Sequence, residues 1–322
     1  MADTADVVIT GDSPFFGGAV HKKRMMRHRM AIVSGETIAD LYPVHVHYIQ
    51  EITRLHLWYA DRVLREEGVA FSDAMNGRVN IYRNTSLYDG EHHPTRGDVD
   101  PAWERVLGRL EEIHARHRGA TARFEEEGLA LLWPYLEARI RQEGVPLDLL
   151  EKTDRPYECW SRDDKRERNN IHIDNLYRPK SPLSDMFIPF AASLIRLLRD
   201  AQAELPGIEM THCSTWMNSS PKFQTLFPRR WMENAEAQRE IGYTYGYWGQ
   251  FMDRRGDFHA RNGSKFRETG ELPFPSLGCE CLTEEVLAHL ESHFPEAVRY
   301  NAERDRAADG GDGSEGVRAE PG

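Results

Sequence analysis

The chain lacks the features that would place it outside ordinary globular proteins. No apolar run approaches the roughly 20 residues of a membrane-spanning helix, so a helical membrane protein is excluded. Basic residues near the start (His21-Lys22-Lys23-Arg24 and Arg27-His28-Arg29) are not followed by an apolar segment, so no secretory leader is expected and a cytoplasmic location is. Cysteine is scarce. Cys159, Cys213, Cys279 and Cys281 are too few to staple 322 residues, and Cys279-x-Cys281 is tighter than zinc-ribbon spacing, so reduced thiols are expected. Lysine is scarcer relative to arginine, seven against 34, and the net charge is −11. Phosphate backbones are held by clustered positive charge, so a nucleic-acid partner is not expected. No internal repeat is visible.

What is present is 40% hydrophobic, 29% charged and 10% aromatic residues, a composition that buries a core. The length exceeds the roughly 150 residues of an average domain, which favours two packed units or one large unit with an elaboration. Residues 1–36 mix Gly, Pro and Asp with the basic cluster and read as a flexible arm. Residues 37–150 read as helical. Ile38, Leu41, His45, Tyr48, Ile52, Leu55 and Tyr59 recur in steps of three and four, and Gly68 marks the end of that helix. Asp100-Pro101 starts a second stripe of Trp103, Val106, Leu110, Ile113 and His117. Phe124, Leu131, Leu132, Tyr135, Leu136 and Ile140 form a third, with Pro134 removing one backbone donor. Between them, Val79 to Tyr82 reads as a short strand.

Residues 151–300 change texture. Ile171 and Ile173 alternate with His172 and Asp174 as in a half-buried strand. A helix carrying Phe187, Phe190, Leu194, Leu197 and Ala201 follows, then a strand from Ile208 to Ser214. Trp216 to Trp231 is irregular. Ile241 to Phe251 reads as the longest strand, with Tyr243, Tyr245 and Tyr247 in one row, and Asn262-Gly263 as a hairpin turn. Glu284 to His293 is a last helix, and 301–322 an acidic disordered tail. The strand-helix-strand order gives a fold class of α/β, with α+β as the variant: a helical layer followed by a mixed sheet.

The run from Ile171 through His172, Asp174, Pro179 and Pro182, the helix to Leu205-Pro206, and then His212 to Asn218 resembles a known arrangement. It is similar to the acetyltransferase-like C-terminal domain of a bacterial acyltransferase family, in which a helical N-terminal domain precedes the same order of blocks. The blocks Ser214 to Asn218, Leu226 to Pro228 and Trp248 to Phe251 also resemble uncharacterised bacterial proteins. The resemblance spans about residues 165–260. Within that span no loop of the type Q/R-x-x-G-x-G/A occurs, the loop on which such domains hold the coenzyme pyrophosphate. The resemblance implies acyl transfer from a thioester, with an acyl carrier protein as one donor, to the amine or hydroxyl of a small-molecule substrate of specialised metabolism.

Several residues carry the chemistry such a reaction needs. His172 and Asp174 fall on one strand face, and a histidine of reference pKa about 6.5 suits a general base. His212 and Ser214 share a face, although no G-x-S-x-G elbow surrounds Ser214. The catalytic set is thus His172, Asp174 and Ser214. His212, Trp216, Asn218 and Gln250 form the substrate-binding set, the amides orienting and the indole walling a pocket. Arg229-Arg230 and Arg254-Arg255 are anion clamps or solvated surface. The alternative chemistry is a metal site on the first helix, where His47 and Glu51 are four residues apart and share a face. His45 belongs to the same cluster, whereas His56 lies about 16 Å from it along the axis. A non-catalytic ligand-binding protein on the same fold is the third reading.

Overall fold

The computed structural model describes residues 38–97, 99–143, 156–165 and 168–309. The arm at 1–36 and residues 310–322 of the acidic tail lie outside the described residues, as does the stop signal at Gly144 and Pro146.

The chain has an α/β fold with its helical part first. Helix α1 (Ile38–Glu67) runs to Gly68, whose φ of +67° is the left-handed conformation that ends helices and suits a residue without Cβ. Tyr48, Ile52, Leu55 and Tyr59 of its stripe are buried. Helix α2 (Pro101–Arg116) starts where Asp100 accepts a hydrogen bond from the Ala102 amide at 2.8 Å, with Pro101 in the first turn. Helix α3 (Thr121–Glu143) continues through Pro134. Gly128 lets these helices close: a Cβ there would stand 3.0 Å from Leu57 and 3.5 Å from Leu110. A buried carboxylate ties the three together. Asp61 accepts from Thr121 Oγ1 at 2.6 Å, His114 Nε2 at 2.9 Å and Arg65 Nε at 3.0 Å. Burial opposes its ionisation, but these donors outweigh it and its pKa is lowered.

The second part is a five-stranded sheet of order β1-β2-β3-β5-β4. Its strands are β1 (Trp160–Lys165), β2 (Arg168–Ile173), β3 (Met210–Thr215), β4 (Glu236–Ala237) and β5 (Leu277–Leu282). Only β2 and β3 pair in parallel, and α4 (Phe187–Glu204) joins them as a βαβ crossover. Ile171, Cys213 and Cys279 point from neighbouring strands into a core shared with Phe190 and Leu194 of α4. Trp160 stacks on Phe190 at 4.6 Å and donates its indole N–H to the Phe190 carbonyl. Helices α6 (Thr283–His293) and α7 (Pro295–Asp309) pack on α4. Among the described residues no helix is long and apolar enough to cross a membrane.

Three stretches differ from their sequence reading. Residues 241–251 form no strand. Thr244 O accepts from the amides of Tyr247 and Trp248, making a one-turn helix at Tyr245–Trp248 followed by a 3-10 turn at Gly249–Phe251. Gly242, Gly246 and Gly249 weaken a strand here, and the tyrosines form no row: Tyr243 is buried while Tyr245 is half exposed. Asn262 and Gly263 lie inside α5 (Ala260–Thr269) and make no hairpin. Gly263 is there for packing, since a Cβ would collide with the Phe258 ring. Val79 and Ile81 are buried between a π-helical turn (Ala74–Arg78) and a 3-10 turn (Tyr82–Asn84), with no strand. The C-terminal helix also runs further than its composition suggests. It reaches Asp309, with Arg304 paired to Glu158 and Asp305 to Arg196, so residues 301–309 of the expected disordered tail are helical.

The buried apolar residues form two clusters. Trp248, Phe251 and Phe266, from beyond residue 240, belong to the helical one. Phe266 lies 5.2 Å from Tyr59 and 5.8 Å from Trp248, and Trp248 lies 4.3 Å from the ring of His56.

Two histidines, His56 and His93, are buried in or beside this helical cluster, and a third, His45, is half-buried. Burial lowers the pKa of His56 to about 3; burial with Arg178 lowers that of His45 to about 4, and burial with Arg83 and Arg96 does the same for His93. Each folded value lies below the unfolded one, so the unfolded chain binds the protons first. Stability is full above about pH 6.5 and declines as the pH falls towards about 4, by about 1.4 kcal/mol per unit for each histidine. Urea midpoints should therefore fall from pH 7.5 to pH 5, and His56→Phe should reduce the slope by about a third. Equal midpoints at the two pH values would contradict this account.

Candidate functional site

Helices cover one face of the sheet, and the other carries polar side chains in register. Asp163 of β1 lies opposite Asn170 of β2, Asn170 opposite His212 of β3, and His212 opposite Glu280 of β5. The alternation of strand residues puts all four on one face. His172 and Ser214, each two residues along its strand from this row, lie on the same face and are exposed.

The row is hydrogen-bonded in one direction. Asp163 Oδ1 lies 3.0 Å from Asn170 Nδ2, and Asp163 Oδ2 lies 3.1 Å from His172 Nε2. A carboxylate only accepts, so the amide nitrogen of Asn170 faces Asp163 and its oxygen faces His212 Nδ1, 3.0 Å away. That oxygen also only accepts, so the neutral His212 ring carries its proton on Nδ1. Its Nε2 is left as a lone pair, hydrogen-bonded to none of the described residues. Burial, with the Arg168 guanidinium next, pushes the pKa of His212 down, and the ring is neutral near pH 7. Arg168 itself pairs with Glu280 at 3.1 Å. Gly278, opposite Ser214, lies beneath His212 and Gln238: a Cβ there would stand 3.7 Å from His212 Nε2 and 3.5 Å from Gln238 Nε2. The face thus presents an oriented imidazole base, an exposed hydroxyl and an ion pair.

His172, His212 and Ser214 are brought together on this face. Asp174 is not the partner of His172, because β2 ends at Ile173 and the Asp174 amide turns back to the Cys159 carbonyl; the carboxylate at His172 is Asp163. Sequence reasoning missed Asp163 and Asn170, because β1 contains Arg162, Asp163 and Asp164 and shows no hydrophobic alternation, and the pairing of Asp163 with Asn170 is set by strand register. The two amides of the substrate-binding set are spent on the fold. Asn218, fully buried, donates to the carbonyls of Cys213 and Leu277 and accepts from Trp231 Nε1. Gln250 donates to the carbonyls of Tyr247 and Phe274 and accepts from the Phe274 amide. Trp216 packs on Phe274 at 5.8 Å and against Gly249.

The alternative metal cluster is dispersed. His47 binds Asp257 at 2.6 Å, Glu51 pairs with Arg54, and the Nδ1 of half-buried His45 has no hydrogen-bond partner. Among the described residues no three His, Cys, Asp or Glu side chains are grouped to hold a metal ion. Arg229 and Arg230 pair with Glu233 and Glu285. A spacing of the phosphate-loop type does occur outside the span of the resemblance, at Arg65-x-x-Gly68-x-Ala70. It follows the end of α1 instead of a strand, and the amides of Asp73 and Ala74 after it are taken by the Ala70 carbonyl. A cavity of about 360 Å³ lined by Gln202, Glu209, Leu282 and Glu284 offers carboxylates but no histidine among its lining residues.

Comparison of the chain with family models, curated proteins and solved structures found no match.

The contrast between the amides and the open face is measurable. Asn218→Ala strands two carbonyls and an indole N–H in the core, and should cost about 3 kcal/mol or more, given about 1–3 kcal/mol for each buried group left unpaired. Ser214→Ala, on an exposed position, should change stability by less than about 0.5 kcal/mol. Equal effects in urea denaturation would show that Asn218 is not a structural latch.

Proposed function

We propose that the open face of the sheet is a general-base site for acyl transfer from a thioester to the amine or hydroxyl of a small acceptor. The observation that supports it is the directed row Asp163-Asn170-His212, which fixes the tautomer of a neutral imidazole and leaves Nε2 as the base. In this reading His212, not His172, removes the proton from the acceptor. The acceptor nitrogen or oxygen bonds to the acyl carbon, the carbon–sulfur bond breaks, and the thiolate leaves with the proton that His212 took. The imidazolium formed in between is held by the Asn170 oxygen at Nδ1 and faced by the Glu280 carboxylate across the strand pair. Ser214, exposed on the same face, is placed to hydrogen-bond donor or acceptor.

No strand-to-helix phosphate loop occurs among the described residues, which favours a donor held through its pantetheine arm, including one carried on an acyl carrier protein. Cys159, Cys213, Cys279 and Cys281 are all free and buried, which fits a reducing compartment such as the cytoplasm.

The test is release of free thiol from acyl-coenzyme A and acylated carrier protein in the presence of a panel of amines and alcohols. Acceptor-dependent release should occur, and His212→Gln should lower kcat/KM by about a hundredfold or more. The base must be unprotonated, and its pKa is lowered, so with an alcohol acceptor kcat/KM should fall only at a pH below the ordinary histidine range. Arg168→Gln removes one cause of the lowering and should move that fall to higher pH. Full activity in His212→Gln, or no acceptor-dependent release with either donor, would refute the proposal.

A further inference from the structure

Partly buried arginines elsewhere in this chain meet carboxylates. Arg78, with a side chain only 9% exposed, holds Glu67 and Glu240. Arg162 holds Glu204, and Arg267 holds Glu125 through two parallel hydrogen bonds. Arg83 does not follow this pattern. It is half-buried, its Nε is shielded from solvent without a hydrogen-bond partner, and no carboxylate pairs with it among the described residues. Aromatic rings hold it instead: its Cζ lies 5.1 Å from the centroid of Tyr243 and 5.8 Å from that of Tyr88. Cation–π contact places the charge but leaves the guanidinium N–H donors unspent.

The ring of Tyr243 is stacked on its other contact, His93, at 3.7 Å and an interplanar angle of 10°. His93 is 1% exposed. Its Nδ1 accepts from the Thr95 amide and lies 2.9 Å from Thr95 Oγ1, so the proton of the neutral ring sits on Nε2. That Nε2–H is buried and has no acceptor. Two shielded N–H donors, one on a cation, therefore stand beside one tyrosine. Burial, with the charges of Arg83 and Arg96, keeps the His93 ring neutral. Buried donors are ordinarily satisfied and buried charge ordinarily paired. What Arg83 and the His93 Nε2–H lack, among the described residues, is an acceptor with negative charge.

We propose that Arg83 and His93 form a binding site for an oxyanion, the phosphate or carboxylate of a small ligand, with Tyr88 and Tyr243 as its aromatic walls. Arg83 supplies charge and fork-shaped donors, and His93 supplies a neutral donor that needs no protonation to bind. The site shares no residue with the sheet face and does not depend on acyl transfer.

The test titrates the full chain, at constant ionic strength in chloride, with inorganic phosphate and separately with benzoate, by calorimetry and by imidazole NMR. Saturable binding of at least one anion is expected, with a shift of the His93 Nε2–H resonance. Phosphate binding alone would identify a phosphate ligand, and benzoate alone an aromatic carboxylate. Arg83→Gln should weaken binding about tenfold or more, the loss of a charge-assisted contact. Arg123→Gln, an exposed arginine paired with Glu126, should leave it unchanged. His93→Phe keeps a ring on Tyr243 and removes the donor, and should also weaken binding. No saturable binding of either anion, no His93 shift in the unmodified chain, or full affinity in a folded Arg83→Gln would overturn the proposal.

Discussion

A sheet covered by helices on one face must be apolar on that face and self-sufficient on the other. Here that constraint sets both the core and the candidate chemistry. Ile171, Cys213 and Cys279 face α4, while one residue along each strand His172, His212 and Glu280 face outwards. Polar side chains directly opposite each other across strands bond to one another, and the order carboxylate, amide, imidazole leaves only one consistent placement of protons. A base with a defined lone pair thus follows from strand register. A slip by one residue would exchange the row for the core and abolish both.

The helical cluster meets a different constraint. Its three helices are bound by Asp61, which three donors from α1, α2 and α3 keep ionised, and by aromatic rings contributed from residues 248–266. The same cluster holds histidines as neutral rings. His56 has both ring nitrogens without partners beside Trp248, and such polar groups in an apolar setting are tolerated only because the ring sheds its charge. Acid sensitivity is built into this packing.

Where apolar residues recur along an amphipathic element the sequence is legible, and α1, α2, α3, α4 and the two central strands follow from spacing. Asp100-Pro101 and Gly68 mark helix ends because capping is local chemistry. Alternation misleads at 241–251, where Tyr243, Tyr245 and Tyr247 alternate with small residues as in a strand; the three glycines and the helical cluster's need for Trp248 and Phe251 decide otherwise. Asn262-Gly263 misleads because Gly263 answers a close contact with Phe258, which no turn preference records. His172, His212 and Ser214 can be read as one-faced from their strands alone. Their link through Asp163 and Asn170 cannot, since cross-strand partners are set by register. Asn218 and Gln250 look like pocket amides because sequence shows a hydrogen-bonding group and not the carbonyls that consume it.

The contribution of Trp248, Phe251 and Phe266 to the helical cluster has a bearing on how the chain is made. Tyr59 and Phe266 touch, yet they are separated by most of the sequence. As the chain leaves the ribosome, α1, α2 and α3 emerge with part of their apolar surface still bare, and it stays so until residue 266 has been added. The whole sheet except β5 is synthesised in that interval. Long-range closure of this kind is slow and leaves exposed apolar surface in the meantime. The helical part is therefore first to be made and among the last to be finished, and a fragment ending near residue 150 would carry an open core.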